Sequence, residues 1–195
     1  MPSPHQKLFL ITGGSGVGKN AVIAELTRRY PALQHVTSVT TRWPARDEEH
    51  FGDAYYFTDE TRFKWLSESG QFIEETSAYG ANYGTLRIDL ERAWATQRQP
   101  ITSVDIRGIE NYRTKGYEIV AIFLDFPSTD EQKRRILHRQ PDISHENLDE
   151  RLSVAAEERA WAARESKASR IHIVVNDKLG ACISDVANIL QLNLR

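Results

Sequence analysis

Gly13-Gly14-Ser15-Gly16-Val17-Gly18-Lys19-Asn20 joins backbone freedom to a single cation. Glycines let the chain curl tightly and turn several N–H groups toward anionic oxygens. The apolar run Leu8-Phe9-Leu10-Ile11 precedes this segment, and Val22, Ile23, Leu26 and Tyr30 follow at helical spacing. Strand, glycine turn and helix in that order make a phosphate-binding loop, with the helix N-terminus adding partial positive charge. Gly13, Ser15, Gly16, Val17, Gly18, Lys19 and Asn20 are the candidate donor-phosphate residues, Lys19 reaching the outer phosphates. Asn20, followed by Ala21, stands where a serine or threonine would place a hydroxyl on Mg²⁺. The plainer alternative is a glycine turn that caps a helix; the flanking strand and helix favour phosphate binding.

Other chemistries have little to work with. The six histidines show no pair at ligand spacing, and the single Cys182, in an apolar helical segment, reads as core. No metal site is expected in the protein itself. A net charge of −2 argues against a general nucleic-acid or membrane surface, so phosphate affinity must come from local clusters. The 195 residues, 40% apolar, suit one domain or a core with an inserted subdomain. Met1 to Gln6 is polar and proline-broken, and no apolar run approaches membrane-spanning length, so the expectation is a cytoplasmic chain.

The elements that must position these residues follow from periodicity. Strands are expected at 36–40, 55–57, 71–76, 101–106 and 117–126, the fourth with Asp105 near its end, and at 171–175. Helices are expected around 63–66, over 89–96, from the Ser128-Thr129-Asp130-Glu131 capping box to Arg139, from about 147 to 164, and over 179–192. The alternating rhythm at both ends predicts an α/β fold with a parallel sheet flanked by helices. Residues 37–88 lack that rhythm and read as an insert.

Several stretches together resemble the guanylate kinases, within the nucleoside-monophosphate kinase group. They are Gly13 to Lys19, Ser38-Val39-Thr40-Thr41-Arg42, Phe72-Ile73-Glu74, Asn82-Tyr83-Gly84-Thr85, Val104-Asp105-Ile106, the arginine-rich run from Arg135 to Arg151, and Val174-Val175-Asn176-Asp177. The resemblance covers nearly the whole chain. It implies a P-loop kinase core, a monophosphate-binding insert over 37–88 and a helical lid over 139–151. It also implies ATP as donor, Mg²⁺ held mainly by the nucleotide, and transfer of the γ-phosphoryl group to GMP or dGMP. A guanine edge presents N1–H and N2–H₂ donors to a carboxylate and an O6 acceptor to hydroxyls. By the resemblance Glu74 is that carboxylate, assisted by Asp105, with Ser38 and Thr85 toward O6.

The resemblance further places Arg42, Arg46, Tyr55 and Tyr83 on the acceptor's phosphate, Arg46 matching only with one residue inserted near Ala45. Arg135, Arg139 and Arg151 resemble arginines that close over the transferring group, and Asn176 an adenine-side loop. Read from spacing alone, Arg135 and Arg139 share one helix face, which a solvated basic helix would also show. Three departures stand out: Asn20 with Ala21, Ser103 in place of a second aspartate, and Asn82 in place of an aromatic residue. Two alternatives follow from them: a related kinase for a phosphorylated sugar such as ribose 1,5-bisphosphate, and a non-catalytic binding module.

Overall fold

The computed structural model describes residues 7–43, 52, 55–78 and 80–193. In chain order the elements are β1 (Leu8–Thr12), α1 (Lys19–Arg29), β2 (Leu33–His35), β3 (Ser38–Thr40), β4 (Tyr55–Phe57), α2 (Glu60–Glu68), β5 (Phe72–Ala78) and β6 (Ala81–Leu86). Then come α3 (Arg87–Ala95), β7 (Gln99–Ser103), α4 (Ile106–Thr114), β8 (Ile119–Asp125), α5 (Thr129–Arg139), α6 (His145–Lys167), β9 (His172–Val175) and α7 (Leu179–Asn193).

Five strands form a sheet in the order β2-β7-β1-β8-β9, every pairing parallel. β1 lies at its centre and is buried along its whole length, which explains an apolar run without alternation. Its side chains still divide by face. Phe9 and Ile11 pack with Ile23 and Leu26 of α1 and with Cys182, Val186 and Leu190 of α7. Leu8 and Leu10 pack on the other face with Leu90, Ile109, Tyr112 and Ala162, from α3, α4 and α6.

A second sheet, β4-β3-β6-β5, is drawn from residues 38–86 and closes a small core of Val39, Phe63 and Phe72. β5 and β6 run antiparallel with Glu74 opposite Thr85, after a register irregularity between Phe72 and Glu74. Such irregularities re-aim side chains. Here one sets the direction of Glu74.

Two features depart from the sequence reading. The fourth expected strand stops at Ser103, and Asp105 instead caps the unforeseen helix α4, accepting from Gly108 N–H. Gly108, Asn111 and Thr114 dilute the helical signal, and burial of Ile109 and Tyr112 overrides their weak propensity. The three-residue β2 is too short for periodicity to register. Among the described residues no helix is long and apolar enough to cross a membrane.

Candidate functional site

A cavity of about 540 Å³ lies between the end of the parallel sheet and the second sheet. The glycine loop forms one wall. Gly13 has φ +137°, and a Cβ there would stand 2.2 Å from the Leu124 carbonyl oxygen. Gly18, the N-cap of α1, has φ +96°. Neither position tolerates a side chain without strain. Val17 does not line the cavity; it is fully buried in the core, and Asn176 Nδ2 donates to its carbonyl at 2.7 Å. Asn176 is itself buried and serves as a strut under the loop rather than as cavity wall. No side chain caps α1, and no acidic residue occupies its first turn, so its opening N–H groups are suited to an anion. Lys19 lies in the same wall and its ammonium donates to the carbonyls of Gly13 and Gly14.

Ser38, Arg42, Tyr55, Glu74, Tyr83 and Asp105 face the loop from the other walls. The Arg42 guanidinium lies 5.4 Å from the Tyr55 ring centroid and 5.7 Å from that of Phe57, while Tyr55 meets Tyr83 edge-on at 5.9 Å. Glu74 is only 4% exposed. Thr85 Oγ1 donates to its Oε1 at 2.7 Å, and its Oε2 has no hydrogen-bond partner among the described residues. Burial pushes the Glu74 carboxyl up to about 7; the Thr85 hydrogen bond opposes the rise, the Asp105 charge adds to it, and Lys115 opposes it. Lys115 is held there by donating to the Ile73 carbonyl. Thr85 therefore sits behind Glu74, fully buried, and does not line the cavity. Asp105 lines it, yet its oxygens already accept from Gly108 N–H, the Thr76 hydroxyl and Arg107 Nε.

The three arginines of the 135–151 run divide. Arg139 lines the cavity and its Nη2 donates to Ser15 Oγ at 3.0 Å, joining the end of α5 to the loop. Arg135 donates to Glu131 at 2.6 Å and to the Asp177 carbonyl, its guanidinium 5.6 Å from the Phe126 ring. Arg151 donates to Gln140. Neither lines the cavity as the chain stands. Arg46 lies outside the described residues.

Sequence reasoning passed over Glu158. This α6 side chain is 8% exposed, lines the cavity, and leaves Oε2 without a partner among the described residues. Burial raises its pKa, and the nearby Lys19 charge opposes the rise. A helical signal was present: Leu148, Ala155 and Ala162 recur every seven residues on the buried face, and Glu158 falls between the last two. Among the described residues no group of three or more His, Cys, Asp or Glu side chains is arranged to hold a metal ion.

The sequence model of the family described as guanylate kinase matches residues 5–193. A guanylate kinase of Nitrosomonas europaea is 33% identical over 184 residues, covering 94% of this chain and 88% of the relative. One of Thermus thermophilus is 35% identical over 195 residues, covering all of this chain and 84% of the relative. The crystal structure of guanylate kinase from Anaplasma phagocytophilum superposes with a TM-score of 0.73 at 25% identity, covering 97% of this chain and 86% of that one. Likeness on this scale reaches both sheets and both walls of the cavity, and the chain belongs to the guanylate kinase family.

Proposed function

We propose that this chain transfers the γ-phosphoryl group of ATP to GMP or dGMP, giving ADP and GDP or dGDP. One observation carries the choice of acceptor: Glu74, buried in the cavity wall with Oε2 unpartnered among the described residues. A carboxylate so placed pairs with the N1–H and N2–H₂ edge of guanine, and Ser38 suits O6. Adenine would leave these buried groups unpaired, which is the physical basis of strong discrimination. Arg42, Tyr55 and Tyr83 form a cation-and-phenol cluster for the acceptor's phosphate, with Arg46 a further candidate.

On the donor side the loop amides, the start of α1 and Lys19 take the ATP phosphates. A terminal oxygen of the acceptor phosphate attacks the γ-phosphorus as its bond to the β-phosphate oxygen breaks, so no enzyme-bound intermediate and no general base are needed. Catalysis is then positioning and charge stabilisation. Arg139 is already at the loop; Arg135 and Arg151 would join through closure over 139–151 by exchanging their present partners for phosphate oxygens. Asn20 and Glu158, an amide and a carboxylate flanking Lys19 in the cavity wall, suit Mg²⁺ carried by the nucleotide. That ion would neutralise charge on the β- and γ-phosphates.

Lys19→Ala and Glu74→Gln separate the two halves of this reading. Lys19→Ala is expected to lower kcat on the order of 10²-fold or more, with the fold retained. Glu74→Gln is expected to raise KM for GMP about tenfold or more and leave KM for ATP unchanged. An unaltered KM for GMP in Glu74→Gln contradicts the proposed acceptor site.

A further inference from the structure

One face of α5 lies along the glycine loop. Arg139 donates to Ser15 Oγ, and Ile136 Cγ1 stands 3.5 Å from where a Cβ on Gly16 would be. Gln132, one turn before Ile136, meets Gly14: its Nε2 is 3.3 Å from the Cβ position of that glycine. Ala155 of α6 at 3.2 Å and the Phe126 ring at 3.5 Å close the rest of that space. Spacings of four and three residues put Gln132, Ile136 and Arg139 on the same side of the helix. Gln132 is 1% exposed, yet neither its Nε2 nor its Oε1 has a hydrogen-bond partner among the described residues. Methionine or leucine would fill the place without stranding a donor and an acceptor, so the amide calls for a use.

We propose that Gln132 is a positioning residue for donor binding: its Nε2–H takes the place of the Lys19 ammonium on the Gly14 carbonyl when Lys19 engages the ATP phosphates. The inference rests on the donor-phosphate reading of the loop and deepens it. The Lys19 ammonium donates to the carbonyls of Gly13 and Gly14, and reaching phosphate exchanges these for phosphate oxygens. The Gly14 carbonyl then keeps the Val17 N–H, at 3.2 Å, and has a second lone pair to satisfy. The amide already in contact with Gly14 is Gln132, so the exchange needs only a short side-chain movement. In a buried setting the new hydrogen bond is strong, and the unpartnered amide that precedes it is costly; both favour the ATP-bound arrangement. Gln132 touches no substrate atom. It acts by fixing the Gly14 peptide, and with it the neighbouring N–H groups, against the same helix that carries Arg139 to the loop.

The test is Tm with and without Mg²⁺ and ATP, together with KM for ATP and for GMP, in the wild type, Gln132→Met and Gln132→Leu. Without nucleotide, the variants should melt at or above the wild-type Tm, because a buried unpartnered amide is replaced by an apolar group of similar size. The rise in Tm that ATP produces should shrink. KM for ATP should increase about three- to tenfold, while KM for GMP stays within about twofold of the wild-type value. If the branched leucine does not fit, Gln132→Met, unbranched and of similar length, carries the test. An unchanged KM for ATP with an unchanged ATP-induced rise in Tm overturns the proposal, as does an equal increase in KM for ATP and GMP. A Tm lowered without nucleotide in both variants, or failure of both to fold, shows that the amide serves the fold alone and overturns it too. A wild type that gains no Tm from Mg²⁺ and ATP would instead remove the donor-site reading of the loop, and the role of Gln132 with it.

Discussion

At the residue scale, Glu74 is a buried carboxyl whose environment works against its charge, and the proposed acceptor site depends on it. Burial dominates, and a single hydroxyl with one lysine does not cancel it, so the carboxyl titrates near 7 rather than near 4.5. Guanine's two donors need the ionised form. KM for GMP is therefore expected to rise as pH falls below about 7, approaching tenfold per unit, and to level off above it. The phosphate of GMP also titrates, near 6, and Glu74→Gln separates the two. That variant keeps the phosphate's contribution and should lose the rest of the dependence. Initial rates at several pH values check this, and the same slope in both proteins rejects it. Thr85, expected toward O6 of the base, instead donates to Glu74 from behind the cavity wall. Its position opposite Glu74 is visible only once the β5–β6 register is known.

At the element scale, the loop is held from beneath by β9's C-terminal end. Asn176 Nδ2 to the Val17 carbonyl is a buried hydrogen bond across 159 residues of sequence. Asn176→Ala strands that carbonyl at a cost of about 1–3 kcal/mol, and in a chain of this length should lower Tm by roughly 2–12 °C. KM for ATP should rise while KM for GMP stays near the wild-type value. Thermal melting and initial rates check both, and a variant with wild-type Tm and KM for ATP rejects the strut. Most elements were legible from apolar periodicity: β1, β8, α5 and α7 each bury a pattern that either alternation, continuity or capping reveals. What periodicity missed has physical reasons. β2 is stabilised by pairing with β7, a tertiary contact. α4 starts at Asp105, whose cap resembled a strand end because Ile101, Thr102, Val104 and Ile106 are all β-branched or apolar. Glu158 was hidden in an alanine- and charge-rich helix, where Glu157 and Glu158 look alike until one of them is buried.

At the scale of the whole molecule, the glycine loop belongs to the parallel sheet and Glu74, the carboxylate proposed to read the base, to the second sheet, so the cavity lies between them. The acidic balance of the chain leaves cations concentrated where phosphates are expected: Lys19, Arg42 and Arg139 share one cavity. Stability should carry the mark of Glu74. Its folded pKa, about 7, exceeds its ordinary value of 4.5, so the folded state holds the extra proton between those limits. Its contribution to stability is fully present below pH 4.5 and is lost as pH rises toward 7, a change on the order of 3 kcal/mol at most. Glu25 and Glu131, both pulled down to about 2 by hydrogen bonds from neighbouring arginines, slope the opposite way mainly below pH 4.5, and that slope fades as pH rises beyond it. Denaturant unfolding at pH 5 and pH 7.5 should show a smaller difference in Glu74→Gln than in the wild type. Equal differences in the two proteins contradict a raised Glu74.

The most direct measurement is the rate of ADP release from ATP and Mg²⁺ with GMP, dGMP, AMP, UMP and ribose 1,5-bisphosphate offered separately as acceptors. The account predicts turnover of GMP and dGMP, with kcat/KM for AMP and UMP lower by at least about 10²-fold and no turnover of the sugar phosphate. Comparable rates with AMP or with ribose 1,5-bisphosphate, or no turnover of any acceptor by folded protein, would contradict it.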